Sequence, residues 1–405
     1  MSKRILLLGG SHAQIPALLK ARQRGFYTIL CDYLPNNPGK KYANEFLNIS
    51  TTDKELVLKS AGDKNIDCIL AYASDPAAPT AAYVAEKMGL PGNSYQSVCR
   101  LSEKDQFRQL LSEHHFPTPK FHSFSKVEVN ENHLSDLSWP VIVKPVDSSG
   151  SKGVRKIEHI QDFPAAADYA FEYSRSGRII VEEFIDKDVA DLHGDGFVID
   201  GKLVFCCLGD HHYNGSINPF NPVGTTWPSM LNSARLREVE NQIAKLIELS
   251  GFKNGPVNIE ARINSANDIY IMEIGPRNGG HYVPQAIQYS TGFDCLNTLF
   301  DLMLGKSIHI SPRTTPQRCT AYYAIHSDRK GKLTSINISE NIRKCIFEKH
   351  YYTKIREQVN PYISSNTAIG VLLMKFDYEQ IMHDTIHNMH SFVKLGIREQ
   401  KTITL

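Results

Sequence analysis

At 405 residues with 41% hydrophobic content, the chain can bury the core of two or three domains. Forty-five basic against 43 acidic residues leave a formal charge of +2; with no long basic run, a nucleic-acid partner is not indicated, whereas small anionic ligands are compatible. The eight cysteines show no paired Cys-x-x-Cys spacing, only the adjacent Cys206 and Cys207 and scattered singles, which argues against zinc and a disulfide framework and fits a reducing cytoplasm. The opening MSKRILLLGGSHAQ holds an apolar run too short for a signal peptide, and no later stretch approaches a membrane span.

Arg4 to Leu8 reads as a buried strand, Gly9-Gly10-Ser11 as a turn, Ala13 to Arg24 as a helix ended by Gly25, and Tyr27 to Cys31 as a second strand. A further strand is expected over Ile66 to Ala71, and Asp75-Pro76 opens another helix. This alternation predicts a parallel sheet. Gly9, Gly10 and the strand-end Asp32 imitate a dinucleotide fingerprint, but Ser11-His12-Ala13-Gln14 lacks its third small position, so NAD is not expected. Ser102 is a candidate N-cap, with Asp105 at the third helical position and a helix to about Glu113, before Pro117 and Pro119 impose an extended exit. Lys104 in the first turn opposes the helix dipole, which hints at an anionic partner, with a solvated lysine as the alternative.

Val141 to Val143 form a strand that delivers Lys144, followed by the loop DSSGSKG (147–153) and a second strand from Val154. Small residues there let backbone amides approach phosphate oxygens while Lys144 and Lys152 add charge. It is not a Walker loop, since no Gly-Lys-Ser/Thr precedes a helix. Ile179 to Ile185 is a strand with two acids towards its end, Asp188, Asp191 and Asp195 follow, and Asp200-Gly201 is a hairpin turn. Residues 209–229, polar and proline-rich, are expected to form a long irregular loop. Residues 231–250 read as an amphipathic helix.

The stretch NIEARINSANDIYIMEIGPRNGGH (258–281) carries the main expectation. Asn258, Glu260 and Arg262 alternate with Ile259, Ala261 and Ile263, and a second apolar run, Ile269 to Ile274, carries Glu273. With a loop over Ser265 to Asp268, Asn264 pairs with Ile269 and Glu260 falls opposite Glu273 on one face, whereas a slip of one residue would part them. Two carboxylates at about 5 Å repel by roughly 3 kcal/mol at an effective dielectric near 20. A hard divalent cation offsets this; magnesium needs few protein carboxylates when phosphate oxygens complete its shell.

In this order, Lys104, VIVKP with DSSGSKG, VEEFI, and NIEAR followed by IMEIGPRNGG resemble the ATP-grasp superfamily over roughly residues 1–305. SPRTTPQRCTAYYAIHSDRKGKL and NTAIGVLLMKFDYEQ are similar to the C-terminal domain of its carboxylase-like and amino acid ligase members. The fold implied mixes α/β and α+β. A parallel α/β domain (1–100) precedes an ATP-grasp domain of two α+β subdomains (101–305) and a small β-rich domain (306–405). The resemblance implies that Lys104 and Lys144 contact ATP phosphates and that the loop at Gly150, Ser151 and Lys152 closes over them. It further implies that Glu182, with the backbone of Glu183, Phe184 and Ile185, holds adenine, and that Asp191 takes the ribose or a nearby polar contact. Glu260 and Glu273 would bind magnesium, or manganese in its place, and Arg277 would steady the transferring phosphoryl group. Gly275 stands where many members have a metal-binding asparagine, with Asn278 or Asn258 as candidates to compensate.

EIGPRNGGH is more similar to amino acid and specialised ligases of the L-amino acid ligase and carbamoyl-phosphate-synthase-like group than to the purine enzymes. The activity implied is an ADP-forming ligation of a small-molecule carboxylate, through an acyl phosphate, to an amine or similar nucleophile. His211, His212, Tyr213, Asn278 and His281 are the candidates to line the acceptor pocket. The alternatives are a biotin-type or bicarbonate-using carboxylase and a non-catalytic nucleotide-binding protein. Members of this type are often homodimers.

Overall fold

The computed structural model describes residues 2–308 and 316–398. The N-terminal residues build a parallel sheet in which Arg4–Leu8 lies between Tyr27–Cys31 and Cys68–Ala71, with Glu45–Leu47 outside Tyr27–Cys31. Ile5 to Leu8 are all buried, as expected of a strand covered on both faces. The first helix, Ile15–Gln23, starts later than its periodicity suggests because Pro16 sits at its N-terminus, after a 3-10 turn over His12–Gln14. Asp32 closes the neighbouring turn on itself, accepting from the amides of Gly10 (2.7 Å) and Leu34 (2.8 Å).

Two helices then meet end to end, Tyr95–Ser102 and Lys104–Glu113. Ser102 does not cap the second of them. The Ser94-capped helix, with Val98 and Leu101 buried, runs through Ser102, whose hydroxyl turns back to the Val98 carbonyl. Glu103 takes the N-cap position, in extended conformation.

A four-stranded antiparallel sheet follows in the order Phe121–Ser125, Arg178–Glu183, Val141–Pro145, Arg155–Ile157, with helix Phe163–Tyr173 against it. The largest sheet has eight strands in the order Ile269–Gly275, Gly255–Ile263, Ala190–Ile199, Lys202–Asn214, Asn218–Trp227, Cys319–Ile325, Gly370–Phe376, Ile346–Tyr351. Helix Ser233–Ser250 packs on it, capped by Asn232.

Residues 209–229 are therefore not an irregular loop: most of them form the middle of this sheet. Their polarity hides the strand period because both faces carry polar groups, His211 and Thr225 on one and His212 and Thr226 on the other. Pro222, which cannot donate to a ladder, falls where the register shifts opposite Tyr213.

Strand Asn218–Trp227 pairs with Cys319–Ile325, so the sheet crosses position 306 unbroken, and one apolar cluster joins Phe197 and Trp227 to Tyr322 and Leu373. The segment 311–315, SPRTT, lies outside the described residues. A small sheet of Gln358–Val359, Gly331–Ile338 and Val393–Arg398 completes the β-rich C-terminal part. No helix among the described residues is long and apolar enough to cross a membrane. Truncation after Gly305 strips the partner strand from Asn218–Trp227 and uncovers Trp227. The expected outcome is aggregation and loss of a cooperative melt, read by size-exclusion chromatography and circular dichroism.

Candidate active site

The hairpin forms, and Glu260 stands opposite Glu273 on adjacent strands. The route differs from the simplest register. Ile263 pairs with Ile269, so the loop has one residue more than expected, and a bulge at Met272 restores the apposition by absorbing the extra position. Burial first, then the neighbouring Glu273, pushes the Glu260 carboxyl up to about 7. On the far side, Lys104 Nζ lies 3.9 Å from Glu273 Oε2 and donates to the Ser148 carbonyl at 2.8 Å, joining the acids to the glycine loop.

The described residues contain no cluster of three or more His, Cys, Asp or Glu able to hold a metal. Two hard oxygen donors fit magnesium only when other ligands, such as phosphate oxygens, complete its shell.

The bulge carbonyl has its own partner. Arg108, 1% exposed, donates Nη1 to the Met272 carbonyl at 2.9 Å and Nε to Glu182 at 2.9 Å. Glu182 also binds Lys144 Nζ. Burial would raise the Glu182 carboxyl, but Arg108 and then Lys144 outweigh it and hold it down at about 2. Glu182 is thus a buried anchor for Lys144 rather than an open adenine contact, because its oxygens are committed to two cations. Burial, with Arg108 and Lys104 close by, lowers the Lys144 ammonium to about 8 in spite of Glu182. At the neighbouring hinge the amides of Glu183 and Phe184 are bonded to the carbonyls of Lys120 and Pro140, and the Ile185 carbonyl accepts from Arg262.

The glycine loop touches Lys104 through Ser148 and docks its tip on the large sheet. Gly150, Ser151 and Gly153 all have positive φ, and the Ser151 hydroxyl donates to the Phe220 carbonyl at 2.9 Å, from the hairpin that had been expected to be irregular. Lys152 is half-buried, and burial lowers its ammonium. Asp191 is drawn into a local network, accepting from Tyr213 Oη at 2.7 Å beside Lys187 (3.2 Å) and Arg262 (3.7 Å). Its ribose role would need one of these contacts to give way.

Arg277 is gripped by Asp75 of the N-terminal domain, with Nε and Nη2 each 2.6 Å from a carboxylate oxygen. Asp75, Lys104, Ser148 and Glu273 line one cavity of about 140 Å³. Asn278 is fully buried, bonded to Ala73 N and the Gly279 carbonyl, and Asn258 is bonded to His193, Gly194 and Asp195. Both asparagines are occupied in the framework, which corrects their candidacy as substitutes at the metal.

On the same sheet face, His193 stands opposite Glu260 and stacks on His211 at 4.2 Å. Both rings approach Thr225 Oγ1, at 3.0 and 3.1 Å. His281 lies 5.6 Å from the Tyr322 ring. Burial pushes His211 and His281 down to about 4, so both are neutral, and the Nε2 atoms of both are buried without a hydrogen-bond partner. His212 is excluded from this group: strand alternation turns it to the opposite face, against Thr226 and His383.

Sequence reasoning missed Arg108, Asp75 and His193. Arg108 had a signal, since it lies one helical turn from Lys104 and puts two cations on one face. The acid at position 75 had none beyond its place before a helix.

Residues 137–285 match the family model for the ATP-grasp domain. This chain carries an ATP-grasp domain. A formate-dependent phosphoribosylglycinamide formyltransferase of Prochlorococcus marinus (strain NATL2A) is 28% identical over 284 residues, 68% of this chain and 70% of its own length. Among solved structures, the L-amino acid ligase from Bacillus licheniformis superposes with a TM-score of 0.81 at 18% identity, covering 98% of this chain and 99% of its own. The biotin carboxylase domain dimer of Hydrogenobacter thermophilus 2-oxoglutarate carboxylase, in complex with magnesium ADP and bicarbonate, does so with a TM-score of 0.76 at 14% identity, covering 98% and 91%. At such identities the structural likeness concerns the ATP-grasp fold.

Replacing Arg108 by Leu leaves Glu182 buried with one cation fewer and frees the bulge carbonyl. Chemical denaturation should show a loss of about 3–5 kcal/mol. The Lys144 ammonium is charged below about 8 and neutral above it. Magnesium ATP affinity should therefore fall above that point, by up to about tenfold per pH unit, a limb that Lys144→Arg abolishes in a calorimetric titration, while a separate acid limb below about 7, where Glu260 must lose its proton to meet the metal, should survive that change.

Proposed function

We propose that the chain is an ADP-forming ligase that activates a substrate carboxylate as an acyl phosphate and joins it to an amine or similar nucleophile. The observation that carries this reading is the apposition of Glu260 and Glu273, with Lys104 at its edge, inside an ATP-grasp domain. The relatives named for formyl transfer and amino acid ligation support it.

A carboxylate is a poor electrophile at neutral pH, and phosphorylation converts its oxygen into a leaving group. The obstacle is charge, since an anion must approach a triphosphate. Lys104 and Lys144 would meet the phosphates, and Arg277 would face the transferring group. Glu260 and Glu273 would hold magnesium, with manganese as the alternative ion. Bound there, the metal neutralises charge on the phosphoryl oxygens.

The hinge backbone at Glu183, Phe184 and Ile185 is our choice for adenine, beside the Phe184 ring, over which Lys156 already lies at 4.6 Å. The loop carrying Gly150, Ser151 and Lys152, docked on Phe220, would keep water from the acyl phosphate. His211, Tyr213 and His281, joined by His193, would border the nucleophile. Neutral imidazoles can hydrogen-bond an amine without repelling it or protonating it.

The test is an ADP-release screen of carboxylates crossed with amines, read by product mass. Glu273→Ala should cut turnover by about 100-fold or more. The same change removes one of two acids that repel by roughly 3 kcal/mol, so the melting temperature should hold or rise. Unchanged turnover would remove the ligase reading. The likeness to a carboxylase domain supports one rival, bicarbonate-dependent ADP formation with no amine requirement.

A further inference from the structure

Gly275 occupies the motif position at which many ATP-grasp members carry a metal-binding asparagine. Its surroundings are filled. A Cβ built there would lie 2.9 Å from Asp75 Oδ1 and 3.4 Å from both Cζ and Nε of Arg277. The volume of a side chain at 275 is taken by an ion pair whose acid comes from a different domain. Asp75 opens the helical stretch that leads into Ala78–Met88, at the end of a strand of the first sheet, so its backbone is fixed by that domain's core.

We propose that Asp75 is a positioning residue: its carboxylate fills the space left by Gly275 and sets the direction in which Arg277 presents its guanidinium to the transferring phosphoryl group. The inference rests on the role given to Arg277 above.

The geometry supports it in three ways. The bite is bidentate, with both N–O distances at 2.6 Å, which fixes the guanidinium plane as a single contact would not. The remaining nitrogen, Nη1, donates to the Asn278 carbonyl at 2.9 Å, so the arginine is braced from its own loop as well. Asp75 shares a cavity with Lys104 and Glu273, the groups assigned to the phosphates and the metal. Burial would raise the Asp75 carboxyl, but Arg277 and Lys104 hold it down, so the pair is ionised. Gly275 and Asp75 are therefore a matched pair: a Cβ at 275 would press on the carboxylate oxygen that holds the arginine.

The experiment compares affinity for magnesium β,γ-imido-ATP with affinity for magnesium ADP, a ratio that reports contacts to the γ-phosphate and requires no knowledge of the carboxylate. Asp75→Asn, Arg277→Lys and Gly275→Ala should each lower that ratio by about tenfold or more. Magnesium ADP affinity should stay within about twofold, which also certifies folding. Asp75→Glu should keep part of the ratio. The double variant Asp75→Asn/Arg277→Lys should lose no more than the worse single one, because the acid acts through the arginine. Additive losses, equal losses for both nucleotides, or no loss for Asp75→Asn while Arg277→Lys is impaired would overturn the proposal alone. An unchanged ratio for Arg277→Lys would fail the parent role of Arg277 and the proposal with it.

Discussion

Arg108 is the group on which the site depends. Burying a guanidinium costs several kcal/mol unless its donors and its charge are met, and here both are met by parts of the site itself. One edge grips Glu182, which holds Lys144 at the end of its strand, and Nη1 grips the Met272 carbonyl at the hairpin bulge. A helix, two strands of one sheet and the hairpin of another are thereby tied to a single side chain. The apposition of Glu260 and Glu273 depends on that bulge, since without the extra residue at Met272 the register from Ile263 and Ile269 would carry Glu273 past Glu260. The position of Lys144 and the apposition of the acid pair are therefore not independent features.

Reading the sequence found the pieces whose chemistry is local and missed those defined by contact. Alternation predicted the hairpin, and the acids do face each other, but a bulge has no sequence mark and the loop was set one residue short. The strands around His211 and Thr225 were hidden because polar groups on both faces erase the period that a half-buried strand displays. Ser102 looked like a cap because serine before an acid three positions on is a common start, and only the upstream helix shows that it is an end. Nothing local marks Asp75: its importance lies in a partner 202 positions away.

The domain divisions suggested by motif order describe the chain better than they describe the molecule. Apolar residues of the first sheet, Leu6 and Leu8, share a cluster with Ile259 and Ile274 of the hairpin, and the C-terminal strands extend the nucleotide-domain sheet. The polar face of that sheet inherits the continuity. It runs from Glu273 through Glu260, His193 and His211 to Thr225 and Tyr322, one residue per strand. A reaction that must hold a triphosphate, a carboxylate and a nucleophile in line needs such a surface. A row of cross-strand neighbours on a rigid sheet places them more accurately than loops could.

Local charge shows what this surface is shaped to receive. Around Glu182, two cations face one carboxylate, leaving a surplus of positive charge on the wall that carries Lys144. At the hairpin, two carboxylates have Lys104 only at the edge of contact, leaving a surplus of negative charge. Against the hairpin at Gly275, Arg277 and Asp75 cancel. A simple anion would satisfy the first wall and be repelled by the second, and a bare cation would do the reverse. The ligand that would relieve both is one that carries a divalent ion on a polyanion, and burial of Glu260 makes the demand for the cation sharper, because a carboxyl pushed up to about 7 is fully ionised at neutral pH once a positive charge arrives with the phosphate. On the proposed reading, the two surpluses would select the metal and the nucleotide together, which neither cluster could do alone.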